Sequence, residues 1–445
     1  MHPSRTRCTR RHALKLAAGG ALAMPFAVRS SALGAEGAAA PSDRIGLGFI
    51  GIGRMGQGHL GLLLRYPEVQ VRGVCDVDPI RRRNAKAAAD SAYGAGSDCA
   101  AYNDLRELLA RGDIDAVLIA TGDRWHVPAS VLAMKAGKDV YCEKPVSLTI
   151  RESRVLREVA ARYGRVFQTG LQQRTTLEFR RACDLVLRGR LGKISHVYVC
   201  FPGTVEEVNL PAEPVPEGLD WNLWLGPAPW RPFNHRYHEY GQPKNVVPWH
   251  FCPDFGSGNL TSNAVHAFDV VQWGLGMDES GPVEVTPPGV DGMPSLTYKY
   301  ASGAVLQVDW KLDPQKHLVP PGWDPATAIQ AFGAVFIGEH GWIHVGREGY
   351  LKSHPEAILA EDTGGPSEGR PVLSHHKNWL ECIRSRRRTA CDAAAGGRSA
   401  IVAHLGGIAH WTRRRLAWDP AKEEFINDDE ANRLRSRPMR EPWRV

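Results

Sequence analysis

Ile45-Gly-Leu-Gly-Phe-Ile-Gly-Ile-Gly-Arg-Met-Gly56 decides the fold. It reads as a short apolar strand that runs into Gly51-x-Gly53-x-x-Gly56 and then a helix. In a dinucleotide site Gly51 permits a tight turn and Gly53 lets the backbone approach a pyrophosphate. Gly56 lets the helix pack close against the strand. Arg54 and Met55 complete the turn, and the helix start offers unpaired N–H groups and a positive dipole end to phosphates. A Gly-rich turn by itself occurs in many α/β proteins, so its neighbours carry the decision. Val69-Gln-Val-Arg-Gly-Val-Cys-Asp76 is a second strand ending in a carboxylate, about 20 residues past Gly56, where a ribose-binding acid is expected. Asp76 favours NAD, because it would repel a 2′-phosphate. Arg81 and Arg82 follow closely enough to offset that charge in part, so NADP is not excluded.

Upstream, Thr9-Arg-Arg-His-Ala-Leu-Lys15 precedes an apolar, small-residue run over residues 16–28. A twin arginine before a modest apolar stretch is the pattern of a Tat export signal, with a Sec signal or a basic helix as the competing reading. Residues 1–40 are therefore set aside from the fold. The run is too short to span a bilayer, and no later run reaches about 18 uncharged apolar residues. Tat export implies a periplasmic or secreted protein that meets the Tat machinery already folded. Free nicotinamide cofactor is not expected outside the cytoplasm. Such an enzyme should load its nucleotide before transport, hold it tightly and regenerate it within its own cycle.

The remaining chain of about 400 residues exceeds one core and suggests two domains. Of the net charge of +7, part lies in the leader and part in Arg413-Arg-Arg415 and Arg384, Arg386, Arg387 and Arg388. No aromatic-rich basic motif accompanies these arginines. They read as solvated helix faces, and no nucleic-acid partner is expected. Nine cysteines are present, one of them in the leader at Cys8. The other eight show no C-x-x-C pair and no His/Cys ligand spacing, so they read as buried thiols, with no disulfide framework and no metal.

From residue 44 to 165 strand-like and helix-like segments alternate, as in a doubly wound parallel sheet of Rossmann type. Helices are expected over residues 58–66, 81–92 and 105–110. Ala120-Thr-Gly-Asp-Arg-Trp-His126 follows the fourth strand, which places Thr121, Asp123 and His126 at its carboxyl end, where open α/β sheets bind ligands. Lys138-Asp-Val-Tyr-Cys-Glu-Lys-Pro145 delivers Glu143 and Lys144 to the same edge, with a rigid proline exit. A sixth strand over residues 166–173 leads out of this half and brings Gln172 toward the nucleotide. Residues 166–370 then form a substrate and oligomerisation domain, and residues 371–445 fold back on the first half. Residues 221–240, rich in Trp, Pro, Tyr and His, form either a structural anchor or a sugar-stacking wall.

The glycine turn, Cys75-Asp-Val-Asp-Pro79, the Ala120-Thr121…Trp125-His126 loop and Glu143-Lys-Pro145 together resemble the glucose–fructose oxidoreductase, inositol dehydrogenase and MocA (Gfo/Idh/MocA) family. The resemblance extends over essentially the whole chain after the leader. It implies a second α/β domain with an open, mostly antiparallel sheet, a substrate held between that sheet and the nicotinamide, and a dimer or tetramer. Residues 256–273 carry the matching histidine. Read as a helix from Leu260, they set His266 and Asp269 three apart on one face, where the carboxylate can fix or charge the imidazole. The resemblance implies that His266 faces the nicotinamide. Where relatives carry an aspartate four residues earlier, this chain has Ser262, followed by Asn263, so Lys144 is expected to bear more of the acid–base work. Trp249 and His250, just upstream, are candidates to face the substrate.

The expected activity is hydride transfer between NAD and a sugar or cyclitol, with Lys144, His266 and Asp269 as the catalytic set. A related alternative is an NAD-dependent glycoside hydrolase, which oxidises, eliminates, adds water and returns the hydride. A non-catalytic sugar-binding protein is the third reading.

Overall fold

In a computed structural model of the chain, residues 43–94, 97–205, 208–241, 248–360 and 374–445 are described. The expected export signal, residues 1–40, lies outside them. The glycine-turn strand is β1 (Ile45–Ile50), buried along its whole length, and helix α1 (Arg54–Leu63) begins directly at the turn. That start is four residues earlier than the spacing suggested, because Gly53 itself is the cap. Then come β2 (Val69–Cys75), α2 (Pro79–Tyr93), β3 (Ala100–Tyr102), α3 (Leu105–Leu109), β4 (Ala116–Ile119), α4 (Asp123–Lys135), β5 (Asp139–Cys142), α5 (Ile150–Tyr163) and β6 (Phe167–Thr169). Local chemistry sets these boundaries. Asp78 accepts from the Ile80 and Arg81 amides with Pro79 at the first turn of α2, and Thr149 caps α5, which Gly164 closes in a left-handed conformation.

These six strands form one parallel sheet in the order β3-β2-β1-β4-β5-β6. The order reverses between β1 and β4, the switch point where such sheets open a crevice above their carboxyl ends. Strand β6 is shorter than expected, because a tight helical turn over Gln172–Thr175 takes over its second half.

The second half contributes α6 (Leu177–Leu187), β7 (Ile194–Val199), α7 (Trp221–Leu225) and α8 (Val265–Gly274). Further on come β8 (Glu284–Thr286), β9 (Leu296–Lys299), β10 (Val305–Val308), β11 (Ala334–Gly338), β12 (Gly341–Val345), β13 (Leu351–His354) and α9 (Ala357–Ala360). After them run α10 (His375–Ser385), α11 (Ala393–Thr412), β14 (Leu416–Asp419), β15 (Glu424–Phe425) and α12 (Asp429–Arg433). The strands make a nine-stranded sheet in the order β13-β12-β11-β7-β10-β9-β8-β14-β15. Its pairings are antiparallel except β7 with β10, so the open, mostly antiparallel sheet expected from the resemblance is what forms. One face packs against α6, α8 and α11 around Phe179, Phe268, Tyr298 and Phe336. The other is partly covered by the chain's own residues 310–330, with Trp323 edge-on to Trp342 and Leu312 and Ile329 buried beside Tyr198.

The expected single helix from Leu260 opens instead as a wide π turn (Leu260–Ala264) that runs into α8. Helix α11 packs against α5 of the first sheet and against α8 and this π turn of the second. The tail lies against the first half. Trp443 sits edge-on to Trp125 at 4.8 Å, and Arg437 donates to buried Glu152 at 2.7 Å. All eight cysteines among the described residues are free and buried. No described helix is long and apolar enough to cross a membrane.

Candidate active site

Above the switch point lies a cavity of about 670 Å³, walled by the first sheet on one side and by residues 223–239, 249–250 and 262–263, Phe332 and Arg347 on the other. That volume falls within the range of ligand sites, roughly 300–1,000 Å³.

At one end stands the glycine turn. Gly51 has φ +87°, and a Cβ there would meet the Ala120 carbonyl carbon and the Thr121 nitrogen at 2.8 Å, so only glycine fits. A Cβ on Gly56 would lie 2.1 Å from the Gly51 oxygen. That glycine serves the close approach of α1 to β1 and does not line the cavity. Gly53 faces open space, with only Arg81 Nη1 at 3.7 Å from its would-be Cβ. No side chain caps α1, so its first-turn amides, with Arg54 and Met55 beside them, are left for a phosphate.

Asp76 is aimed by two backbone donors, Ile52 N at 2.6 Å and Asp78 N at 2.9 Å, and its remaining lone pairs suit ribose hydroxyls. Neither Arg81 nor Arg82 bonds to its carboxylate. Arg81 donates to the Gly241 carbonyl at 2.7 Å and to the Glu239 carbonyl. Arg82 donates to the main-chain oxygen of Asp76 and to Asn103 at 3.0 Å. Two buried polar atoms of the lining, Thr121 Oγ1 and Asp123 Oδ2, have no protein partner. Open amides, a glycine cradle, a placed carboxylate and orphaned polar atoms fit a dinucleotide.

At the other end β5 delivers Glu143-Lys144-Pro145. Glu143 is buried and bound to His59 Nε2 at 3.0 Å, and His59 Nδ1 in turn meets His376 Nε2 at 2.8 Å. Burial alone would raise the Glu143 carboxyl. The His59 hydrogen bond and the charges of His59, Lys144 and His126 outweigh it and hold the group down at about 2. Lys144 Nζ donates to the Ser262 carbonyl in the π turn at 2.8 Å, which bridges the two halves across the cavity. Asp123 faces the same space. Burial raises its carboxyl to about 7, against the pull of Lys144 and Arg124.

His126 lines the cavity, but its ring is braced between the Pro145 carbonyl at 2.6 Å and the Thr121 carbonyl at 3.1 Å, which ties two strand ends together. Ser262 meets Lys144 through its carbonyl, and Trp249, His250 and Asn263 line the same cavity.

Gly56 packs α1 against β1, the role read from its place in the turn, and three expected positions stand elsewhere. Gln172 is absent from the lining, and its neighbour Gln173 takes the contact with His266. The two catalytic expectations on α8 also need correcting. Asp269 does not orient His266, because both of its oxygens accept from Arg174 at 2.8–3.0 Å and one also accepts from Ser399 at 2.8 Å. The turn at Gln172–Thr175 brings a guanidinium fork to the carboxylate, and a charged bidentate donor outcompetes an imidazole.

His266 itself is buried beneath the lining, edge-on to Phe332 at 5.3 Å. The Gln173 amide nitrogen donates to its Nδ1 at 2.8 Å, while the Gln173 oxygen accepts from Arg347 Nη2 at 3.1 Å. Burial, then the charges of Lys144, Arg347 and His375, hold the imidazole well below its ordinary value, so it is neutral near pH 7.

Sequence reasoning missed Arg124, Phe332 and Arg347 of this lining. Arg124 is buried with its guanidinium 3.6 Å from the Trp224 ring, and its Nη2 donates to the Trp224 carbonyl at 2.6 Å. The Trp-rich stretch of residues 221–240 thus packs as a core of its own, with Trp224 and Tyr237 at its cavity side. Its high aromatic content was a usable signal. Nothing in the local sequence marked Phe332 or Arg347.

Comparison with known families matches residues 45–171 to an oxidoreductase family's NAD-binding Rossmann fold. Residues 169–315 and 370–445 match the C-terminal α/β domain of an oxidoreductase family. A glycosyl hydrolase family 109 protein of Shewanella pealeana is 35% identical over 162 residues, 32% of this chain and 35% of that protein. The rhizopine catabolism protein MocA of Rhizobium meliloti is 31% identical over 158 residues, 36% of this chain and 47% of that protein. The matches thus span between about a third and a half of these relatives' lengths. Two solved structures share the fold at low identity. One is scyllo-inositol dehydrogenase of Lactobacillus casei with NAD(H) and scyllo-inositol, at TM-score 0.54 and 17% identity over 84% of this chain and 99% of that one. The other is the WlbA dehydrogenase of Bordetella pertussis with NADH and UDP-GlcNAcA, at TM-score 0.56 and 16% identity over the same shares.

Proposed function

The chain belongs to the Gfo/Idh/MocA oxidoreductase family, matching its NAD-binding and C-terminal domains, and from that premise we propose an exported NAD-dependent dehydrogenase acting on a sugar, cyclitol or sugar derivative. The single observation that carries the reading is Lys144. Its Nζ stands in a cavity continuous with the glycine turn and is tied to the Ser262 carbonyl of the opposite domain.

Bound NAD supplies a hydride acceptor or donor at its nicotinamide. The protein's share is binding, orientation and proton movement. The amides at the start of α1 hold the pyrophosphate, and Asp76 holds a ribose. Lys144 hydrogen-bonds the substrate oxygen and carries its proton, with the Asp123 carboxyl titrating near neutrality beside it. His266 acts one step removed, by fixing Gln173. Mass spectrometry should find NAD released from the purified protein, and a panel of sugars and cyclitols should raise reduced-nicotinamide absorbance. Finding neither would sink the reading.

The stretch of 35% identity to a glycosyl hydrolase family 109 protein favours a second reading, a redox-neutral NAD-dependent glycosidase. It needs no external acceptor, which suits an exported enzyme that retains its cofactor. Release of chromophore from chromogenic glycosides without added NAD would select it. Export itself is tested by Arg10→Lys with Arg11→Lys, which should trap the protein in the cytoplasm.

A further inference from the structure

Resting on the dehydrogenase reading, we propose that the substrate carries an anionic substituent, a carboxylate, phosphate or sulfate, and that Arg347 grips it. Residues 316–369 lie outside both family matches, yet they supply Phe332 and Arg347 to the cavity. The β11–β12 ladder ends with Ala334 opposite Val345, and Phe332 and Arg347 lie two residues beyond it on either side, stacked on each other.

Arg347 is prepared for a ligand on three counts. Its guanidinium stacks on the Phe332 ring at 3.8 Å, and Phe332 holds that position at φ +61°, a conformation aromatic residues rarely adopt. The Gln173 oxygen accepts from Arg347 Nε at 3.3 Å and Nη2 at 3.1 Å, which fixes the plane of the fork. No acidic side chain among the described residues forms an ion pair with it. The nearest acids by charge are Glu143, already bound to His59, and Glu348, which points to solvent.

A half-buried, oriented cation with no ion-pair partner among the described residues fits an oxyanion delivered from the cavity. The nucleotide phosphates do not fill that role, since their cradle is at the glycine turn. Arg347 instead shares its surroundings with His266 and Glu143 at the reacting end.

The test uses the full-length holoprotein. Calorimetry would compare D-glucuronate and D-galacturonate, glucose 6-phosphate and galactose 6-sulfate with glucose, galactose and myo-inositol. One anionic class should bind about tenfold tighter than its neutral counterpart, and the class that does so identifies the substituent. Arg347→Gln should bring the affinity for the anionic sugar down to that for its neutral counterpart, and Arg347→Lys should restore part of the difference. Inorganic sulfate should compete with the anionic sugars on the unmodified protein, a measurement that holds even if the variants fold poorly.

Equal affinity for anionic and neutral sugars, or a preference that survives Arg347→Gln, overturns the proposal. A protein that carries NAD and is reduced by neutral sugars but shows no anion preference defeats this inference alone. One that lacks nucleotide and never changes absorbance defeats the dehydrogenase reading.

Discussion

Asp269 shows how a correct residue can be given the wrong partner. Three-residue spacing on a helix brings it near His266, but pattern reading has no access to Arg174, which arrives from a turn 95 positions away in sequence. The buried pair predicts a structural phenotype. Asp269→Asn should cost about 1–3 kcal/mol in denaturant-derived stability, because it weakens buried charged hydrogen bonds while Asp278 still pairs with Arg174 at 2.7 Å. Turnover of the folded fraction should change little. Lys144→Ala predicts the reverse. Turnover should fall by about 10²–10⁴-fold, the usual worth of a positioned proton-transfer group, with bound NAD unchanged on mass spectrometry. Lys144, Asp76 and Thr121 were legible because each ends a buried strand. Arg347 was not, since Gly346-Arg-Glu-Gly349 has the composition of any solvated hairpin turn.

Among the elements, the first sheet could be read strand by strand, because alternating β and α segments with Asp, Thr and Pro caps leave few topologies open. The second sheet resisted. Its order joins β8 to β14, whose residues Val285 and Leu416 pair across more than a hundred positions, and no local signal encodes such a contact. The π turn was equally hidden, since Leu260-Thr-Ser-Asn-Ala264 holds weak helix formers but nothing that tells a π turn from an α turn. At the glycine turn, Gly56→Ala should force α1 away from β1, where a Cβ would lie 2.1 Å from the Gly51 oxygen. The expected results are about 1–3 kcal/mol of lost stability and weaker NAD binding by titration. In the tail, Trp443→Ala should destabilise by about 3–5 kcal/mol, because Trp443 is buried against Trp125.

For the molecule as a whole, buried histidines set the response to acid. Burial lowers His404 and His375 to about 4 and His376 to about 3. Each folded-state value lies below the unfolded one near 6.5, so the unfolded chain takes up the proton first as pH falls. The share these histidines contribute is therefore complete above about pH 6.5 and drains away toward pH 4, by about 3 kcal/mol for His404 alone, with buried Asp123, raised to about 7, offsetting part of it. Thermal melts from pH 7.5 to 4.5 should show this decline. His404→Gln, which retains a polar partner for Ser147, should flatten it.

Helix α11 spans both halves, touching α5 and α8 along one continuous rod, and Ser399 on it binds Asp269 while His404 meets Ser147 at 3.2 Å. A joint bound to both lobes in this way resists their swing. Nucleotide is then expected to enter and leave through the mouth of a socket that keeps its shape, a slow route that favours retention. Crystals grown with and without NAD should superpose in their two sheets, and dissociation should be limited by the wall loops rather than by any opening of the lobes.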